Sequence, residues 1–132
     1  MHTQDEKLKA FGRLLNVLDT LREQCPWDKK QTNESLRPNT IEETYELCDA
    51  LTRNDTPNIC KELGDFLFSL VNAARLYKLN PDTCLEKTNN KFIRRFNYIE
   101  AHSIKIGKPL KDMTLGEMDQ LWNEAKREEN NS

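Results

Sequence analysis

Long apolar runs are missing from this 132-residue chain. No stretch approaches the roughly 18 consecutive apolar residues that a membrane-spanning helix needs, so contact with a membrane is not expected. The opening Met1-His2-Thr3-Gln4-Asp5-Glu6 lacks the apolar centre of a signal peptide, and a cytoplasmic protein is the expectation. Histidine is scarce, with only His2 and His102. That excludes the Glu-x-x-His pairs of carboxylate di-iron bundles and leaves Ser35, Ser69 and Ser103 with no nearby base for a nucleophilic triad. There are four glycines and no G-x-x-x-x-G-K-[ST] phosphate loop. Cys25, Cys48, Cys60 and Cys84 form no C-x-x-C pair, which argues against structural zinc and for reduced, gap-filling thiols. A strong excess of one charge sign is also lacking. Twenty basic and 22 acidic residues leave a net charge of −2, unlike the basic balance of a nucleic-acid binder.

What is present is a run of amphipathic helices. Hydrophobic residues make up 36 % and charged residues 32 %, a lean core for one domain of this length, of the kind a second copy completes. A capping box at Thr3-x-x-Glu6 and the spacing of Leu8, Phe11, Leu14, Leu15, Leu18 and Leu21 predict a helix over 5–23. Pro26 must end it. Residues 24–39 read as an irregular connection with one short turn near 34–36, a length that often carries function. A second helix is predicted over 40–52, with Ile41, Tyr45, Cys48 and Leu51 as its core face. A third follows Thr56 as N-cap and Pro57 at the first position and runs to Lys78, with Ile59, Leu63, Phe66, Leu67, Leu70, Ala74 and Tyr77 as its stripe. A fourth runs from Asn80-Pro81 to His102, and a last one, capped by Thr114, carries Leu115, Met118, Leu121, Trp122 and Ala125. The tail from Arg127 is expected to fray. The whole predicts an all-α, antiparallel four-helix-bundle-like single domain over 1–132.

The chemistry concentrates in acids. Glu43 and Glu46 lie three apart on the second helix, as do Glu62 and Asp65 on the third, and residues three apart share a face. A short turn joins the two helices, so they should be antiparallel neighbours with the acid pairs facing each other. Four carboxylates crowded together repel unless some stay protonated or a cation intervenes. A hard divalent ion with oxygen ligands suits the set, and magnesium keeps positions open for phosphates. One such pair alone is ordinarily a solvated helix face, and Thr40-x-x-Glu43 could be a capping box. Two pairs on adjacent helices favour the metal.

Lys87, Lys91, Arg94 and Arg95 recur along one side of the fourth helix, opposite Phe92 and Phe96. Such a strip suits a polyphosphate, or is a solvated basic face. Trp27, in the loop after Pro26, could cover a pocket, whereas Trp122 reads first as a packing residue.

These residues resemble a known family. Glu42-Glu43-x-x-Glu46 followed by Glu62-x-x-Asp65 is similar to the signature of the all-α nucleoside triphosphate pyrophosphohydrolases, and the flanks narrow it to MazG. Residues 21–32, with Cys25-Pro26-Trp27-Asp28, are similar to the MazG opening segment, and 40–51 to its metal helix. Residues 91–96 and 118–126 resemble its later segments. Up to about residue 66 the chain looks like the first half of a two-part MazG, and from there like the end of the second. Asn33 departs from the His or Phe often found there.

The resemblance implies Mg²⁺-dependent hydrolysis of NTPs or dNTPs to monophosphate and pyrophosphate, with Mn²⁺ as a substitute ion and a house-cleaning role. Glu43, Glu46, Glu62 and Asp65 would hold the metal. Glu43 would act in catalysis through it, and Glu42 would stand beyond the ligands and help orient the water. Lys91, Arg94, Arg95, Trp122, Lys126 and Trp27 would contact substrate. It also implies a homodimer, or a tetramer. A dUTPase-like or dCTP-selective enzyme and a non-catalytic nucleotide-binding regulatory module are the alternatives.

Overall fold

The computed structural model describes residues 1–132 and is helical throughout: α1 (Gln4–Gln24), α2 (Pro26–Lys29), α3 (Asn33–Arg53), α4 (Thr56–Leu76), α5 (Pro81–Ile106), a 3₁₀ turn at Leu110–Asp112, and α6 (Leu115–Asn130). The all-α class is as the sequence implies. The residues fall into two compact units, Met1–Pro81 and Asp82–Ser132.

In the first unit, α1 starts at the expected capping box, with Thr3 Oγ1 accepting from the Glu6 N–H and Glu6 Oε2 from the Thr3 N–H. It ends before Pro26, which opens the four-residue α2 at a position where its missing N–H costs nothing.

The connection expected over 24–39 is shorter than the sequence suggests. α3 begins at Asn33, because Thr32 and Ser35 form a reciprocal box: Thr32 Oγ1 takes the Ser35 N–H and Ser35 Oγ takes the Thr32 N–H. Pro38 lies inside the helix. The bond it forfeits would have gone to the Glu34 carbonyl, which lies in the exposed first turn and within reach of water. Thr40 is therefore mid-helix, its hydroxyl donating to the Leu36 carbonyl at 3.2 Å, and the Thr40–Glu43 box does not form.

Asn54, in the left-handed region at φ 55°, closes α3. Asp55, not Thr56, caps α4 by accepting from the Asn58 N–H, which moves Thr56 to the first helical position and Pro57 to the second. α3 and α4 are the most closely packed pair of the unit.

That packing turns much of the expected faces outward, although Ile59, Phe66 and Ala74 of the α4 stripe are half-buried. Ile41, Tyr45, Cys48 and Leu51 of α3, and Leu63, Leu67 and Leu70 of α4, are exposed, Tyr45 at 73 %. The buried positions are Leu36 and Ala50 on α3 and Glu62, Ser69 and Asn72 on α4. The helices meet along their polar edges because the residues there are small or can pair, as in the long contact from the Asn39 amide to Ser69 Oγ (3.5 Å). Leu18 of α1 is fully buried and completes the small core.

In the second unit, α5 continues past His102 to Ile106 and stops at Gly107, whose φ of +71° favours glycine. Thr114 caps α6 as expected, accepting from the Glu117 N–H. α6 remains helical to Asn130, beyond the point where fraying is expected. Ile99, Ser103, Leu121 and Ala125 are its buried residues.

Leu18→Ala should cost about 2–4 kcal/mol in urea unfolding through the lost transfer energy and the cavity. Leu8→Ala, at a position 62 % exposed on the same helix, should stay within about 0.5 kcal/mol of wild type.

Candidate metal centre

Glu43 lies on α3 one turn beyond Asn39, and Glu62 and Asp65 lie one turn apart on α4. The antiparallel pairing brings one carboxylate oxygen from each of the three within 4.8 Å of the others. Glu62 is only 5 % exposed, Glu43 half-buried and Asp65 exposed. Glu43 Oε2 and Glu62 Oε2 are buried with no hydrogen-bond partner. Buried carboxylate oxygens are ordinarily satisfied, so this arrangement has the form of a cation seat: hard oxygen donors with spare lone pairs, and no imidazole or thiolate among them.

The electrostatics agree. The Glu43 carboxyl is held above its ordinary range by burial first, then by the charges of Asp65, Glu62 and Glu42, with Lys61 opposing. Glu46, exposed and outside the group of three, is also pushed up, by partial loss of water, then by the charges of Glu43, Glu62 and Glu42. The structure thus gathers Glu43, Glu62 and Asp65 tightly and places Glu46 beside them. Glu42 is exposed.

Two residues of this unit escape a reading of acid spacing. Lys61 Nζ lies 3.2 Å from Glu62 Oε1 and 3.9 Å from Asp65 Oδ2; its position four residues before Asp65 was the available signal. Asp28 is buried on α2, its carbonyl accepting from Arg22 Nη1 at 2.9 Å and its Oδ2, without a hydrogen bond, 3.9 Å from the same nitrogen. Only the Pro26 start of a short helix could have placed it. The adjacent Trp27 is exposed.

The basic strip belongs to the second unit and is partly committed there. Arg95 donates from Nε and Nη2 to the Glu129 carboxylate, the shortest bond being 2.9 Å, and its guanidinium lies 5.2 Å from the Trp122 ring centre. Trp122 packs on Phe92 at 5.1 Å, Lys91 lies over that same Phe92 ring, and Arg94 Nε is 3.7 Å from Glu129. Arg95 would have to leave Glu129 to meet a phosphate. Lys87 and Lys126 are exposed.

The chain is all-helical and carries an E-x-x-E…E-x-x-D set, of which Glu43, Glu62 and Asp65 come together between α3 and α4. Comparison with known proteins gives the family. The model of the MazG nucleotide pyrophosphohydrolase domain matches residues 31–99, a span that includes all four acids, and the chain belongs to that family. Over 72 residues it is 46 % identical to the nucleoside triphosphate pyrophosphohydrolase of Escherichia coli K12, covering 52 % of this chain and 27 % of that protein. Over 99 residues it is 36 % identical to the nucleoside triphosphate pyrophosphohydrolase/pyrophosphatase MazG of Thermotoga maritima, covering 70 % of this chain and 39 % of that one. An uncharacterised Bacillus subtilis protein, YabN, is 53 % identical over 75 residues, 57 % of this chain and 15 % of its own. The chain thus spans well under half the length of these relatives. A crystal structure of a MazG-related protein from Thermotoga maritima shares the fold, with a TM-score of 0.70 at 24 % identity over 88 % of this chain and 98 % of that one.

The raised Glu43 carboxyl fixes a pH effect. Folding raises its pKa, so the folded chain holds protons more tightly than the unfolded one. Its penalty on stability is absent below the ordinary carboxylate value and complete above the raised one. In chelator-treated protein, Glu43→Gln should therefore raise the thermal midpoint at neutral pH and leave it near wild type well below pH 4.5. Thermal melts across that range check it.

Proposed function

We propose that this chain hydrolyses nucleoside triphosphates, ribo- or deoxyribo-, to nucleoside monophosphate and pyrophosphate, with Mg²⁺, or Mn²⁺ in its place, held by Glu43, Glu46, Glu62 and Asp65. The observation that carries this reading is the convergence of Glu43, Glu62 and Asp65 within 4.8 Å with two buried carboxylate oxygens left unpaired. When bound, the cation supplies charge neutralisation for the phosphates and Lewis-acid polarisation of their oxygens.

The chain's own groups do the rest. The rigid α3–α4 pair fixes the ligand directions, so little reorganisation is required when charge develops. Glu42, one residue before Glu43 and exposed, orients the attacking water. Lys91, Arg94, Arg95, Trp122 and Lys126, with Trp27 of the first unit, are the proposed nucleotide contacts. Clearing unwanted nucleotides from the cytoplasmic pool is the role that fits such an activity. No helix is long and apolar enough to cross a membrane.

We also propose that two copies pair. The exposed row of Ile41, Tyr45, Leu63, Leu67 and Leu70 on adjoining helices is the kind of apolar surface that a stable monomer seldom leaves open, and a second copy would bury it. Sedimentation equilibrium should return twice the 15.5 kDa chain mass, or four times for a tetramer. Tyr45→Glu should shift the protein toward the monomer.

Turnover is tested by incubating the protein with each of the common NTPs and dNTPs and Mg²⁺ and separating the products. Pyrophosphate with monophosphate is the expected pair, and phosphate with diphosphate would reject the reading. A single preferred substrate would mark a selective enzyme. Glu62→Gln and Asp65→Ala should each lower kcat/KM by about two orders of magnitude or more while the helical circular dichroism is kept.

A further inference from the structure

Lys61 is the one cation inserted in the acid cluster, and its position raises a question of occupancy. Its ammonium sits 3.2 Å from Glu62 Oε1 and 3.9 Å from Asp65 Oδ2. A divalent cation approaches a carboxylate oxygen to about 2.1 Å. With the ammonium unmoved on the same carboxylates, the two positive charges would stand only a few ångströms apart. One lysine also cannot replace the ion. It reaches neither Glu43 Oε2 nor Glu62 Oε2, both buried and unpaired, and it offsets one negative charge among at least three.

The side chain is built to leave. It is 68 % exposed, and an ammonium on a flexible four-carbon stem is a mobile point charge that water readily accepts. Its backbone is fixed on α4 next to Glu62, so once displaced the charge stays tethered beside the cluster. There it meets whatever anion the cation brings.

We infer that Lys61 is the resident counter-ion of the acid cluster, that the divalent cation displaces it, and that the freed ammonium then binds the substrate's phosphate oxygens. This rests on the metal-centre reading above. It assigns Lys61 opposite effects on two ligands: it weakens the metal alone and strengthens the nucleotide.

Calorimetric titration with Mn²⁺ in the absence of nucleotide tests the first half, on wild type, Lys61→Met and Lys61→Arg. Removing a partly screened competing charge should tighten Mn²⁺ by about tenfold in Lys61→Met, while Lys61→Arg should remain close to wild type. Kinetics at saturating Mn²⁺ test the second half. Lys61→Met should raise KM for the nucleoside triphosphate several-fold, with kcat changed less, and Lys61→Arg should restore it. Equal or weaker Mn²⁺ binding by Lys61→Met overturns the counter-ion role, and an unchanged KM overturns the phosphate role. Failure of wild type to take up Mn²⁺ would instead overturn the metal centre itself, and this inference with it.

Discussion

Crowding of like charge between α3 and α4 is the constraint on which the rest of the first unit turns. Three carboxylates cannot sit within a few ångströms of each other without a compensating charge or a bound proton. The protein uses both remedies in part: Lys61 leans on Glu62 and Asp65, and the carboxyls of Glu43 and Glu46 hold their protons to higher pH than usual. Lys61 does not reach the inner oxygens of Glu43 and Glu62, which have no hydrogen-bond partner. A cluster left this incompletely compensated lowers stability, and helices free to choose would turn the acids outward. They do not, because buried Ala50 and Leu36 on α3 and Ser69 and Asn72 on α4 lie on the same edge and lock the rotation of each helix.

That rotation has a second consequence. A helix that spends one edge on the acids must point its apolar stripe elsewhere. Ile41, Tyr45, Leu63, Leu67 and Leu70 face outward for this reason, and only part of the modest hydrophobic content, Leu18, Leu36 and Ala50, is buried within this unit. The polar interior and the apolar exterior are one decision about helix phase.

Much of this was legible in the residues. The i, i+3 acid pairs and the Asn54-Asp55 turn placed Glu43 against Glu62 and Asp65, since a short turn between two helices leaves one antiparallel arrangement. The caps at Thr3 and Thr114 read correctly, because a side-chain oxygen three residues before a free N–H has a local geometry that needs no tertiary context. The start of α3 did not read correctly. Pro38 argues for a break, and only the Thr32–Ser35 box, with Ser in place of the usual Glu, argues against it. Nor could periodicity say which face is inside. An apolar stripe marks a surface that avoids water, and sequence alone does not distinguish a stripe meeting its own unit from one left for a partner. The fate of Arg95 was illegible for a related reason, since Glu129 is 34 residues away and their bond depends on α5 and α6 packing.

The match to the MazG domain over residues 31–99 runs through the whole of α4. α4 runs unbroken from Thr56 to Leu76, and the division into compact units comes only at Pro81–Asp82. The phase of so long a helix matters, because shifting its downstream part by one residue would rotate that part by about 100°. Here Glu62 and Asp65 share an edge with Ser69 and Asn72, while Leu63 continues into Leu67 and Leu70 on the other side. The polar edge therefore leads from the acids to the Asn39–Ser69 contact, so the later segment helps to fix the angle at which the earlier one presents its carboxylates. The two ends of α4 act as one helix, and the placement of the acid cluster depends on both.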